Sequence, residues 1–217
     1  MDTLSELAAQ GYELFCRLIN KQELNSKRFQ PDDFLFNQGQ EITELYWLES
    51  GQFSVGYTAD NGRHFSLGLF NADNSLLGDV ELLTDTRCQF DVRANEALEA
   101  KVLPAALLSE FMQGDPRLAV WLSQSLSYKY QETMATTISR ILHPLIYNIA
   151  LDIEQRFLDA RPKVNFAHVY KEAERFGCSE RVYRRVVNQL LEMNLVEKTS
   201  NQLQVKDIAK LSEFLRS

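Results

Sequence analysis

The hydrophobic period changes twice along this chain, and that restricts its fold more than any other feature. Residues 1–24 carry apolar side chains at helical spacing, with Leu4, Leu7, Ala8, Tyr12, Phe15, Leu18 and Ile19 on one stripe. This reads as one helix, or as two short ones around Gly11. From Ser26 to Leu103 the period becomes two. Phe34-Leu35-Phe36, Leu45–Leu48, Phe53–Tyr57, Phe65–Phe70, Phe90-Asp91-Val92 and Ala97–Leu103 read as strands. Gln38-Gly39-Gln40, Glu49-Ser50-Gly51, Asp60-Asn61-Gly62 and Asp73-Asn74-Ser75 read as the turns between them, Asn61-Gly62 as a two-residue hairpin. Short strands at this spacing predict an antiparallel barrel or roll.

Helical character returns at Ala105–Met112. Asp115 is placed to cap a new helix, with Pro116 at its first position. The helix runs to about His143. Its Ala119, Leu122, Leu126, Tyr130, Thr133, Thr137 and Ile141 form a heptad-like seam, and Leu118, Trp121, Ile138 and Leu142 add apolar surface on adjoining faces. A helix that must cover a roll and also meet a twin has this pattern, so a homodimer is expected. Pro144 cannot continue the helix without losing a hydrogen bond, and it marks a hinge. An amphipathic helix from Leu145 to Phe157 follows, closed by Arg161-Pro162-Lys163.

The segment His168–Leu191 reads as two short helices joined at Gly177-Cys178-Ser179, with Ser179 as the N-cap of the second. On that second helix Val182, Tyr183, Val186, Val187 and Leu190 share one face. Arg181, Arg184, Arg185 and Asn188 share the opposite one. Arginine can make two parallel bonds to guanine and asparagine to adenine, so this face suits a DNA major groove. A helix-turn-helix presents its second helix in this way. We assign Arg181 and Arg185 to base edges, Arg184 and Asn188 to bases or phosphates, and Ser179 to a phosphate. Leu195–Lys198 and Gln202–Val205 flank Thr199-Ser200-Asn201 as a β-hairpin wing. Lys198 and Ser200 are its phosphate candidates. A last helix, Ile208–Leu215, ends the reading.

Charge supports this division. The net charge of −7 argues against nucleic acid only when taken whole. Residues 1–160 hold 12 basic and 23 acidic side chains, a net of −11, whereas residues 161–217 hold 11 and 7, a net of +4. A basic end on an acidic body points to a sensor that carries a DNA-binding module. Cys16, Cys88 and Cys178 are widely spaced, and His64, His143 and His168 form no HxH or HxxxH set, so neither a disulfide framework nor a metal site is expected. No catalytic constellation emerges either, and the chain does not read as an enzyme. A cupin-like enzyme is the rival from that class, but its metal would need more than His64. No apolar run approaches a membrane span. The opening MDTLSELAAQGYELF lacks a signal peptide's basic-then-apolar layout, so a cytoplasmic protein is expected.

The order of roll, long helix, hinge and winged helix-turn-helix resembles the CRP/FNR family of bacterial transcription regulators along almost the whole chain. Gly39, Gly51, Gly62 and Gly78 fall where the family's roll has its turns. Gly78-Asp79-Val80-Glu81-Leu82-Leu83 looks like its Gly-Glu-…-Leu segment, and Gly177-Cys178-Ser179 with Arg185 matches its recognition-helix entry. The resemblance implies an α+β fold. An N-terminal antiparallel β-roll of the cyclic-nucleotide-binding kind (a double-stranded β-helix) spans 1–114, a dimerisation helix and hinge span 115–143, and a winged helix-turn-helix spans 144–217. It also implies double-stranded DNA with a near-palindromic operator, and RNA polymerase, as partners.

The departures concern the effector. Family members that bind cyclic AMP hold its phosphate with an Arg-Ser or Arg-Thr pair and its ribose with a Glu. Here the Glu is Asp79, and Cys88-Gln89 occupies the place of the pair, with Thr86 and Arg87 beside it. Thr133 matches a position on the long helix that reaches the nucleotide, but Met134 replaces its serine neighbour. Gly78, Asp79, Arg87, Cys88, Gln89 and Thr133 are therefore the candidate effector pocket. The expectation is no ordinary cyclic AMP and no cofactor. A cyclic nucleotide held by a shifted clamp at Thr86-Arg87 is the alternative. The pattern looks closer to divergent members such as the YeiL-like group. Iron–sulfur sensing of the FNR kind would need an N-terminal cysteine cluster, and only Cys16 lies there.

Overall fold

A computed structural model describes residues 3–62, 64–158, 169–199 and 202–216. The chain divides into two compact units. One comprises Met1–Thr58 with Gly68–Thr133, and the other Ala59–Leu67 with Met134–Ser217.

The first unit opens with α1 (Leu4–Lys21). A capping box starts it: Thr3 Oγ1 accepts from Glu6 N at 3.2 Å, and Thr3 N donates to Glu6 Oε2 at 2.6 Å. The helix is unbroken, which settles the choice that Gly11 left open. Gly11 serves packing instead. A Cβ there would stand 2.1 Å from the Arg117 carbonyl oxygen, so only glycine lets the two backbones approach.

Six strands form a curled antiparallel sheet: β1 (Ser26–Phe29), β2 (Phe34–Phe36), β3 (Glu44–Thr58), β4 (His64–Leu77), β5 (Asp91–Ala94) and β6 (Leu98–Pro104). The order is β1-β6-β3-β5-β2, with β4 paired to β3. The predicted turn at Glu49-Ser50-Gly51 is not a turn. β3 runs through it, pairing with β6 through Glu44–Trp47 and with β5 through Phe53–Gly56. Gly51, at φ +125°, is where the strand bends from one partner to the other. The predicted turn at Asp73-Asn74-Ser75 lies likewise inside β4, with Asn74 at φ +51°. Asn61-Gly62 does turn the chain between β3 and β4. Gly62 N donates to Ala59 O at 2.8 Å, so the reversal is built on residues 59–62 rather than on a two-residue loop. Phe29, Phe36, Tyr46, Leu48, Phe53, Ala94, Leu98 and Ala100 fill the inside of the curl.

After β4 comes α2 (Asp79–Thr84), a short helix that the periodicity did not reveal. α3 (Ala105–Gly114) and α4 (Arg117–Leu142) follow. Asp115 caps α4 as expected, accepting from Arg117 N at 3.0 Å. Phe15, Ile19, Leu45, Trp47, Leu103, Leu108, Leu118 and Leu122 make a second core, in which Phe15 meets Trp47 at 5.0 Å and Trp121 at 4.6 Å. Past Leu122 the cover on α4 thins. Tyr128, Tyr130, Met134, Ile138, Ile141 and Leu142 are all exposed.

The second unit begins within α4. The helix stops at Leu142 and α5 (Leu145–Leu158) begins directly after Pro144, as the proline predicts. α6 (Val169–Arg175), α7 (Glu180–Glu192), the hairpin β7 (Val196–Thr199) with β8 (Gln202–Val205), and α8 (Ile208–Arg216) complete it. Ile149, Ala150, Ile153, Ala173, Val186, Val187, Leu190, Leu195 and Leu211 form its core. The expected helix end at Arg161-Pro162-Lys163, and also His168 and Ser200-Asn201, lie outside the described residues.

Candidate nucleic-acid interface

The turn between α6 and α7 is closed by backbone bonds. Phe176 N and Cys178 N both donate to Ala173 O at 3.1 Å, and Gly177 N donates to Glu174 O at 3.1 Å. The Cys178 thiol points back and donates to Ala173 O at 3.6 Å, and burial raises its pKa. Ser179 then caps α7, its Oγ accepting from Val182 N at 3.4 Å.

The faces of α7 fall where helical spacing puts them. Tyr183, Val186, Val187 and Leu190 are buried, and Val182 is half-buried. Arg181, Arg184, Arg185 and Asn188 are exposed together and line one open concavity with Gln189 and Glu192. Arg184 is tied to Glu180 one turn earlier at 3.2 Å. That pair spans an exposed helix face and is weak. Among the described residues, Arg181, Arg185 and Asn188 have no partner within the chain. Arg185 and Asn188 can therefore turn outward without first breaking a contact. Gln189 and Glu192 escaped the sequence reading. Continuing the i+3 and i+4 steps from Arg185 and Asn188 would have reached both. Glu192 puts a carboxylate at the far end of the basic face. A carboxylate there repels phosphate and can accept from a cytosine amino group.

β7 and β8 pair from Val196↔Val205 to Thr199↔Gln202, with Lys198 opposite Leu203 and exposed. The wing is thus present with one of its two phosphate candidates on it. The other, Ser200, lies outside the described residues.

Under this surface α6 is anchored by charge. Glu172, buried on α6, receives Arg156 of α5 at 3.0 Å and Arg175 at 2.7 Å. Arg156 also reaches Asp152 at 2.8 Å, and Arg175 bonds Asp152 as well. Two carboxylates and two guanidiniums alternate, so each charge removed from water faces two of opposite sign. Burial, then the Glu172 carboxylate, raises the Tyr183 phenol's pKa above its ordinary value, so it stays neutral against this group. The pairs Asp152 with Arg156 and Glu172 with Arg175 are one helical turn apart and within reach of residue spacing, but the links between α5 and α6 are not.

The candidate effector residues are less united. Gly78 stands at φ +90° just before α2. Asp79, the first residue of α2, is buried, and Lys129 of α4 donates to its Oδ2 at 2.8 Å. The same ammonium donates to Leu76 O at 3.2 Å. Arg87 is exposed and pairs with the Glu41 carboxylate at 2.5 Å. Thr86 Oγ1 lies 2.8 Å from Thr84 Oγ1. Cys88 is buried and bridges the loop of Gly39: its carbonyl accepts from Gly39 N at 2.7 Å, and its N–H donates to Gln40 O at 2.8 Å. Burial, reinforced by Glu81, pushes the Cys88 thiol up to about 11. Gln89 and Thr133 are exposed. Arg93 is accounted for at the sheet edge, its guanidinium 4.0 Å from the Phe34 ring centre. Lys129 is the residue that sequence reasoning missed, because its partner lies 50 positions away.

The cyclic nucleotide-binding domain family matches residues 26–115. No curated protein matches the chain in sequence. Solved structures match its fold. The global regulator CLP of Xanthomonas campestris, described as responsive to c-di-GMP, superposes with a TM-score of 0.76 at 16% identity, covering 89% of this chain and 98% of that one. A CRP/FNR-family transcriptional regulator from Thermus thermophilus gives 0.71 at 17% identity over 89% and 99%. A CooA variant from Carboxydothermus hydrogenoformans gives 0.70 at 16% identity over 92% and 94%. Among the described residues no helix is long and apolar enough to cross a membrane. With a roll that matches the cyclic nucleotide-binding domain family at 26–115, a long α4 and a winged helix-turn-helix after Pro144, this chain has the fold of the CRP/FNR transcriptional regulators.

Proposed function

We propose that this chain is a homodimeric, sequence-specific DNA-binding transcription regulator, not an enzyme, whose roll does not take cyclic AMP in the ordinary way. One observation carries the DNA reading: the exposed face of α7, a capped helix that follows a tight turn, gathers Arg181, Arg185 and Asn188, which have no partner among the described residues. Arginine and asparagine in that position match the edges of guanine and adenine. The exposed row Tyr130, Met134, Ile138 and Ile141 on α4 supports the dimer, because an unshared helix would leave these side chains in water. Two copies paired along α4 would offer two α7 helices to successive major grooves, about 34 Å apart, on a near-palindromic operator. RNA polymerase is the partner such a regulator works beside, in the cytoplasm.

Selection of binding sites by the purified protein from a random duplex library tests this reading. A near-palindrome with half-sites one helical turn apart is the expected outcome. Recovery of no enriched sequence from a folded dimer would end it.

The second reading is a regulator driven by a cyclic nucleotide, and the domain match over 26–115 favours it. The polar contacts oppose it. The buried Asp79 is occupied by Lys129, whereas Arg87 pairs with Glu41 only on the exposed surface, where an ion pair is weak. Calorimetric titration with cyclic AMP, cyclic GMP and c-di-GMP separates the two. Micromolar binding of any of them would establish the second reading.

A further inference from the structure

We propose that the ion pair between Asp79 and Lys129 is a built-in latch. It fixes the rotational setting of α4 on the roll with no small molecule bound, and so presents the pairing face of α4 to a second copy of the chain. The inference rests on the dimer just proposed and not on its binding to DNA.

The latch joins three points. Lys129 Nζ donates to the Asp79 carboxylate at 2.8 Å and to the Leu76 carbonyl at 3.2 Å. Leu76 is near the end of β4 and Asp79 begins α2, so one ammonium holds the corner between strand and helix and ties it to α4. Asp79 is only 4% exposed. A carboxylate so far from water holds its counter-charge tightly, since losing it would leave an uncompensated buried ion.

The position of Lys129 along α4 is what gives the pair a task. The last fully buried apolar residue of α4 is Leu122. Lys129 lies seven residues, or about two turns, further on. There the apolar hold of the roll has run out and exposed Tyr128 and Tyr130 stand on either side. Lys129 is also i+3 from Leu126 and i−4 from Thr133, both in the seam, so it borders the seam on the helix surface. One residue of rotation turns a helix by about 100°. Releasing Lys129 would therefore free α4 to carry Tyr130, Thr133 and Thr137 away from a twin. A ligand can bias such a helix only by contacting one setting better than another. The Asp79–Lys129 pair already supplies that difference from within the chain.

Sedimentation of the full chain without nucleotide tests this, and circular dichroism confirms that each variant is folded at the temperature used. Wild type is expected to be a dimer at micromolar concentration, with its dissociation constant unmoved by cyclic AMP or cyclic GMP. Lys129→Gln should raise that constant by about tenfold or more, the worth of one charge-assisted bond. Lys129→Arg, which keeps the charge, should stay near wild type. If Lys129→Gln does not fold, the neutral pair Asp79→Asn with Lys129→Gln replaces it, and the same weakening is expected. A wild-type monomer that dimerises only with added nucleotide would overturn the latch. So would a folded Lys129→Gln or neutral-pair variant that dimerises like wild type. A latched dimer that enriches no DNA sequence would instead remove the DNA reading and leave the latch standing.

Discussion

Ser139 and Asn148 meet across the break between α4 and α5. Ser139 Oγ donates to Asn148 Oδ1 at 2.8 Å, and Asn148 Nδ2 donates to the carbonyls of His143 at 3.0 Å and Pro144 at 3.3 Å. A buried amide thus satisfies the carbonyls around the proline break. His143 and Tyr147 stack beside it at 4.0 Å. Asn148→Ala removes three side-chain bonds, at a cost of about 1–3 kcal/mol in stability; the exposed Pro144 carbonyl keeps the Asn148 backbone N–H at 3.2 Å. Urea unfolding would show a midpoint shift of that size. An unchanged midpoint would mean that water takes over these carbonyls.

The exposed arginines and the wing lysine should fail in different ways. Arg185→Ala should cost about 1–3 kcal/mol at one base position and relax the preference there. Lys198→Ala should weaken all sequences alike and lower the slope of affinity against salt by about one counterion. Fluorescence anisotropy on an operator and its point variants, at several salt concentrations, reads both. Equal loss on every sequence from Arg185→Ala would reassign that residue to the phosphates.

The quartet of half-buried Asp152 and Arg156 with buried Glu172 and Arg175 should not tolerate neutralisation at its buried carboxylate. Glu172→Gln leaves Arg156 and Arg175 with one carboxylate between them. Breaking a buried pair from one side costs about 3–5 kcal/mol. The variant should melt well below wild type and lose DNA binding with its fold. Cooling should restore both together. A variant as stable as wild type would show that these guanidiniums are hydrated.

Acid should weaken the start of α4. Hydrogen bonds from Arg117 hold the Asp115 carboxyl down at about 2, against an ordinary 3.8. A carboxylate with a lowered folded pKa stabilises above its unfolded value and loses that contribution as pH falls through the folded one. The contribution of Asp115 is therefore complete above about pH 4 and gone by about pH 2. Asp115→Asn keeps a capping side chain without the titration. The stability difference between wild type and this variant should shrink across that window. A difference constant from pH 5 to pH 2 would contradict the ion pair.

Helix spacing and cap chemistry carried over almost intact because both are local. The stripe of α1, the Asp115 and Ser179 caps, the proline break and the two faces of α7 depend on residues within a turn or two of each other. Turn signals were less faithful. Asn61-Gly62 turns the chain, but Glu49-Ser50-Gly51 and Asp73-Asn74-Ser75 lie within strands, because a long strand bending around a roll also needs residues that leave ordinary β geometry. Gln189 and Glu192 were within reach of the same spacing that found Asn188.

The amino-acid sequence alone determined the division into a strand-built roll, a long helix and a basic winged end, since period, caps and charge are written in neighbouring residues. Only the tertiary structure decided what occupies the roll's polar positions. Asp79 meets Lys129 and Arg87 meets Glu41 across 50 and 46 positions of chain. Glu172 likewise finds Arg156 from another helix. A charge shows in the sequence, but its counter-charge depends on how distant elements pack, and burial then decides whether the pair is held or shed to water.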